Sequence, residues 1–255
     1  MGIVAENLSF SYGQNKILDN ISFVAEEGNL ICLLGKNGVG KTTLFQILLG
    51  SLKSYEGNIR INEKSLKKYQ ERELALQLAY IPQSYQPAYN YTVEEMVLMG
   101  VTPSLGMFES PKKEHKIRAE KALEKVGLSS LKRQNFCRIS SGEKQLVLIA
   151  RAIAQNSKIL LMDEPASNLD FGNGIRIMKL CRELTRNGYL IIQSTHNPQH
   201  ALSYAGQVIV LDGGRIVAKG TPAESLTEEV LNHIYQVPVK LIQAPECDQK
   251  ICISL

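Results

Sequence analysis

The sequence predicts an α/β protein, a mainly parallel sheet flanked by helices, with a β-rich N-terminal segment and a helical insert. Three observations carry this. From residue 30 onward, strand-length apolar runs alternate with helical patterns, as parallel βαβ construction requires. A glycine-rich loop separates the apolar run 30–34 from a helix. The stretch 84–156 turns mostly helical before strand periodicity resumes at 158.

The elements follow in order. Residues 3–10 and 21–26 alternate apolar and polar side chains, as in Ile21-Ser22-Phe23-Val24-Ala25, and read as strands. Gly28-Asn29 turns the chain into the buried strand 30–34, and Thr42 to Leu49 reads as a helix ended by Gly50. Residues 57–61 and 78–82 are short strands, the second stopped by Pro82, which has no N–H for a ladder. Within the insert, Pro87, Pro103 and Pro111 punctuate the first half, before a charged helix at 112–126 and an apolar one at 144–155. A buried strand then spans 158–162, and Ile177, Cys181 and Leu184 fall on one helical face. Tyr189-Leu190-Ile191-Ile192 is another buried strand, and 207–211 and 215–218 flank Asp212-Gly213-Gly214 as a hairpin. After Pro238 only a strand at 239–242 stands out. These elements describe one domain: a core from 1–83 and 158–225, an insert at 84–157, and a tail at 226–255.

Composition excludes several classes. The chain has 255 residues, 44% hydrophobic and 21% charged, so it can bury a large core without disulfide staples. Its longest apolar runs are strand-length, far below the ~20 residues of a spanning helix. The N-terminus lacks the basic-then-apolar pattern of a signal peptide. A net charge of +4 is too small an excess to indicate nucleic acid. Cys32 and Cys181 sit in apolar patterns as small hydrophobes, and Cys247 and Cys252 share the tail without zinc spacing. This usage points to a reducing, cytoplasmic compartment.

Gly35-Lys36-Asn37-Gly38-Val39-Gly40-Lys41-Thr42 fits the phosphate-loop pattern G-x-x-x-x-G-K-[ST] in its required strand-loop-helix context. Glycines let backbone N–H groups converge on phosphate oxygens, Lys41 supplies a point charge, and the Thr42 hydroxyl suits Mg²⁺. Lys41 is expected to stand exposed at the loop. Lys158 to Glu164 is a buried strand ending in two carboxylates. Asp163 suits the Mg²⁺ shell, and Glu164 suits general-base activation of an attacking water.

Ile139-Ser140-Ser141-Gly142-Glu143-Lys144-Gln145 resembles the signature segment of ATP-binding-cassette ATPases. Other elements of that family stand around it in order: Tyr12 in Phe10-Ser11-Tyr12-Gly13, Gln83 after Tyr80-Ile81-Pro82, Ser167-Asn168-Leu169-Asp170, and His196 in Ser194-Thr195-His196-Asn197-Pro198. The resemblance covers about residues 1–225. It implies a P-loop nucleotide hydrolase core with an N-terminal antiparallel β subdomain and a helical signature subdomain, using ATP and Mg²⁺. By the same resemblance Tyr12 stacks on adenine, and Gly35, Asn37, Gly38, Gly40, Lys41, Thr42 and Thr43 bind its phosphates. Gln83 contacts Mg²⁺ and the attacking water, and His196 contacts the γ-phosphate. Asp170 organises a homodimer contact, while Ser140, Ser141 and Gly142 bind the γ-phosphate of ATP held by the other subunit. One departure stands out, since Ser141 occupies a position where the family usually has glycine. His196 and His200 have metal-pair spacing, but Pro198 disrupts that geometry.

The compact insert lacks the sustained heptads of coiled-coil DNA ATPases, the chain has one cassette where translation-type members have two, and no Asn-Lys-x-Asp guanine reader follows the acidic strand. The segments 92–100, 162–173 and 228–237 resemble importers of iron chelates, haem and vitamin B12. That resemblance implies an ATPase bound peripherally on the cytoplasmic side of the membrane. Its partners would be integral membrane permease subunits and, indirectly, a periplasmic or surface substrate-binding protein. A zinc/manganese or molybdate importer subunit is the alternative, and a soluble non-transport ATPase a more distant one.

Overall fold

The computed structural model describes residues 2–106, 108–243 and 250–254. Along the chain run β1 (Gly2–Tyr12), β2 (Asn15–Glu26), β3 (Leu30–Leu34), α1 (Lys41–Leu48), β4 (Glu56–Ile61) and β5 (Lys64–Ser65). Next come α2 (Glu71–Gln77), β6 (Leu78–Ile81), α3 (Val93–Leu98), α4 (Lys113–Lys125), α5 (Ser141–Gln155), β7 (Ile159–Met162) and α6 (Phe171–Arg186). The chain continues through β8 (Leu190–Thr195), α7 (Pro198–Tyr204), β9 (Gln207–Asp212), β10 (Arg215–Gly220), α8 (Pro222–Ser225) and α9 (Glu228–Tyr235). It ends with β11 (Val239–Gln243) and β12 (Lys250–Ser254).

These elements form two units, residues 1–69 with 181–255, and residues 70–180. The first unit holds an antiparallel sheet in the order β2-β1-β4-β5. Its alternating residues Ile3, Leu8, Ile21, Phe23, Ile59 and Ile61 are buried. In the second sheet of this unit β3 lies between β8 and β9, parallel to both, with Leu34 opposite Thr195 and Val210. That register brings the carboxyl ends of β3 and β8 side by side, where parallel sheets collect ligands. Strand β10 closes its edge by antiparallel pairing with β9, and β11 and β12 form a separate two-stranded ribbon. Cys32 and Cys181 are both buried here, as their apolar patterns predict, whereas Cys247 lies outside the described residues.

In the second unit β6 runs parallel to β7, with Ile81 opposite Met162. Helices α3, α4 and α5 pack together, and α5 buries Leu146, Val147, Leu148 and Ile149. Helix α6 begins in this unit and crosses into the first after Leu180.

Several elements depart from the periodic reading. Strand β2 begins at Asn15, well before the expected residue 21. Asn20 has φ 54°, and the β1–β2 register slips between Leu8 and Phe10, so the alternation loses phase there. The insert is less helical than expected: residues 84–91 carry no helix or strand, and Met99–Ser104 is a 3₁₀ helix containing Pro103. The apolar helix begins three residues earlier than its hydrophobic pattern, because Ser140 caps it.

Candidate active site

Strand β3 is buried along its whole length and delivers the chain into the loop 35–40. Gly35 has no room for a side chain, since a Cβ would lie 2.5 Å from the Leu211 carbonyl oxygen. Gly40 has φ 104°, a backbone conformation that L side chains rarely adopt, and it starts α1 directly. Lys41, the first residue of that helix, is only 6% exposed. Its Nζ donates to the Gly35 carbonyl at 2.7 Å and to the Lys36 carbonyl at 2.9 Å. The expected exposed lysine is therefore corrected: the ammonium folds back into its own loop, where buried charge must find acceptors. Asn37, Gly38 and Thr42 are exposed, and Thr43 is half-buried.

The structure brings His196 next to this loop. The Gly35 N–H donates to the carbonyl of Thr195, the last residue of β8. His196 follows, exposed, in the short link to α7. Asn197 braces that link: its N–H donates to Thr195 Oγ1 at 3.0 Å and its Oδ1 caps α7 by accepting from the Gln199 N–H at 2.9 Å. His196 precedes the helix while His200 lies within it, so the two do not share one helical face. Burial, and then the charge of neighbouring His196, lowers the pKa of His200. Tyr12 is half exposed, stands edge-on to Phe10 with centroids 4.9 Å apart, and donates from its hydroxyl to Gln46 Oε1 of α1.

The second unit gathers the acidic pair and Gln83. Asp163 is buried, its N–H donates to the Ile81 carbonyl, and its Oδ2 accepts from the Tyr80 hydroxyl at 3.3 Å. Burial and the Asp163 charge push the Tyr80 phenol up to about 12, so it remains a proton donor to that carboxylate. Glu164 has φ 45°, a strained conformation for a non-glycine residue and one found preferentially at functional sites. Gln83 Nε2 donates to Glu164 Oε2 at 3.4 Å and to Ser167 Oγ at 3.0 Å, and Ser167 Oγ donates to the Glu164 carbonyl. Gln145 of α5 holds the same strand end by donating to the Pro82 carbonyl.

Ser140 caps α5 with both arms of a capping box. Its Oγ accepts from the Glu143 N–H at 3.3 Å, while Glu143 Oε2 accepts from the Ser140 hydroxyl and N–H at 2.8 Å each. These bonds hold the Glu143 carboxyl below the usual carboxylate range. Gly142 is buried against Asn173, whose Cγ lies 2.5 Å from where a Cβ at 142 would stand. Asn173 in turn donates its N–H to Asp170 Oδ1 at 2.9 Å and its Nδ2 to Oδ2 at 2.7 Å. Asn173 thus stands between Asp170 and the signature segment, and its two bonds, the backbone one first, lower the carboxyl's pKa. Sequence reasoning passed over Asn173, although an Asp followed three residues later at a helix start is a legible cap signal. Ser167 and Tyr80 lie within the motif segments 167–170 and 80–83, but spacing alone gives neither a role.

A family model for ABC transporters matches residues 18–167. The chain belongs to the ABC transporter family. An uncharacterized ABC transporter ATP-binding protein of Haemophilus influenzae is 39% identical over 242 residues, 95% of this chain and 92% of that protein. The hemin import ATP-binding protein HmuV of Thermobifida fusca is 32% identical over 241 residues, 94% of this chain and 84% of that protein. A solved metal-chelate type ABC transporter in an inward-facing conformation superposes with a TM-score of 0.89 at 29% identity. That alignment covers 100% of this chain and 97% of the other. As an ABC ATPase, this chain binds and hydrolyses ATP. Among its described residues no helix is long and apolar enough to cross a membrane.

Proposed function

We propose that this ABC ATPase energises import of a metal chelate, of the iron-siderophore, haem or cobalamin type, through separate membrane permease subunits. The observation that carries this reading is the likeness, along the entire chain, to a metal-chelate type transporter. The chain sits peripherally on the cytoplasmic side of the membrane, with a substrate-binding protein delivering the chelate from the other side. Residues 1–83 and 158–225 form the nucleotide-binding core, 84–157 the helical signature subdomain, and 226–255 the tail.

Tyr12 stacks on adenine, and the N–H groups of the loop 35–43 hold the phosphates at the start of α1. Thr42, Asp163 and Gln83 offer only oxygen donors, the set a hard cation prefers, and so fit Mg²⁺. When bound, Mg²⁺ neutralises charge developing on the phosphate oxygens. Glu164 takes the proton of the attacking water while Gln83 orients it, which requires Gln83 to exchange its bonds to Glu164 and Ser167 for substrate. His196 donates to the γ-phosphate. Two copies related by a twofold axis place each signature segment, Ser140 to Gly142, against the partner's nucleotide, with Asp170 at the seam. Hydrolysis reopens this homodimer and moves the permeases.

Glu164→Gln tests the reading. Turnover should fall by roughly 10²–10⁴-fold while ATP binding persists. The variant should accumulate as an ATP-bound dimer in light scattering. Parental turnover would remove Glu164 as the base. Assembly with permeases that move none of ferric siderophore, hemin and cobalamin in vesicle uptake would overturn the substrate class.

A further inference from the structure

We propose that the carboxy-terminal segment, α9 with the β11–β12 ribbon, positions His196, and that Tyr235 is the positioning residue. This rests on the reading of His196 as a γ-phosphate contact. The Tyr235 hydroxyl donates to the His196 backbone carbonyl at 2.7 Å. That bond fixes the peptide plane just after His196, and with it the direction in which the imidazole leaves the backbone. Asn197 adds local bonds to the same link between β8 and α7.

The anchor is itself built into the fold. Helix α9 buries Leu231 and Ile234. Two of its side chains bind β11: Asn232 Oδ1 accepts from the Val239 N–H at 2.6 Å, and Glu228 Oε1 from the Leu241 N–H at 2.9 Å. Strand β12 is tied to the start of α7 through one side chain. Gln199 Nε2 donates to the Lys250 carbonyl at 3.1 Å, and Gln199 Oε1 accepts from the Cys252 N–H at 3.0 Å. Tyr235 and Cys252 pack on the apolar cluster that contains Cys32 and Leu34 of β3, the strand that enters the phosphate loop. The tail therefore grips the His196 link at its carbonyl and at the first turn of the helix that follows. Burial raises the Tyr235 phenol, so the hydroxyl remains a donor across the working pH range.

Tyr235→Phe in the full-length chain keeps the ring in its apolar seat and removes only the donor. The turnover number for Mg-ATP should fall roughly three- to tenfold, with KM and the calorimetric ATP affinity within about twofold of the parent. In a His196→Ala background, followed over hours to measure residual turnover, Tyr235→Phe should cause no further loss, because its effect runs through the imidazole. Parental turnover in Tyr235→Phe, or losses that multiply in the double variant, would overturn the proposal while leaving the role of His196 intact. Parental turnover in His196→Ala would remove that role and the proposal with it.

Discussion

Lys41→Ala should cost this protein stability as well as ATP affinity, and the two losses can be separated. The Lys41 ammonium is almost wholly buried and donates to two carbonyls of its own loop, Gly35 and Lys36. Each bond from a charged donor contributes about 1.5–3 kcal/mol. The desolvation cost of burying an ammonium disappears with the side chain, which offsets a part of the pair comparable to one bond. The net loss expected is therefore about 1.5–3 kcal/mol. For a chain of this size, 1 kcal/mol moves the melting temperature by about 2–4 °C, so the nucleotide-free variant should melt about 3–12 °C lower. Circular dichroism melts of parent, Lys41→Ala and Lys41→Met measure it. Methionine refills the channel of the aliphatic stem but not the bonds, so both variants should lose most of the same amount. A melt unchanged within a degree or so in Lys41→Ala would show that the loop does not depend on its ammonium. Unchanged ATP affinity by calorimetry would instead refute the phosphate-loop assignment.

Gly142→Ala should destabilise the chain by about 1–3 kcal/mol in urea titrations, despite the better helix propensity of alanine, because the new Cβ meets Asn173. In an Asn173→Gly background Gly142→Ala should cost much less, and an undiminished cost there would place the strain elsewhere. Burial pushes the thiols of Cys32 and Cys181 up to about 12 from an ordinary 9.0. Iodoacetamide at pH 8 should therefore alkylate exposed Cys137 and spare both until the protein unfolds, as peptide mapping would reveal. The unfolded thiols ionise first, so the stability these two confer is complete below pH 9 and is lost as pH rises toward about 12. Melts that do not weaken across that window would contradict their burial.

The parts legible in the sequence were those where one local rule acts alone. The β3-loop-α1 unit declares itself because the strand is buried on both faces and the glycines have fixed jobs. The acidic pair is legible for the same reason, following a strand whose four residues are all buried. What escaped depends on distant partners. Helices α7 and α8 span only 7 and 4 residues, too few for a periodicity to appear. The fold-back of Lys41 is set by carbonyls five and six residues behind it, which a motif cannot display. Tyr235 reaches the His196 link across 39 residues of chain, and no spacing rule announces such a bond.

The atypical Ser141 is explained by separating what the fold demands from what a ligand demands. The resemblance assigns glycine to this position, yet the structure gives no internal reason for it. Ser141 is the first residue of α5, it is exposed, and it is not among the residues with positive φ. The packing constraint falls one residue later, on Gly142, where Asn173 and through it Asp170 press against the helix start. Serine at 141 therefore costs the monomer nothing, and even a helix start favours it over glycine by limiting unfolded-state entropy. In the proposed head-to-tail dimer, the backbone of 141 would meet a phosphate only when a second copy presents its nucleotide. On the proposed trans contact, an effect of serine at 141 would fall on ATP-driven closure of the dimer and not on folding.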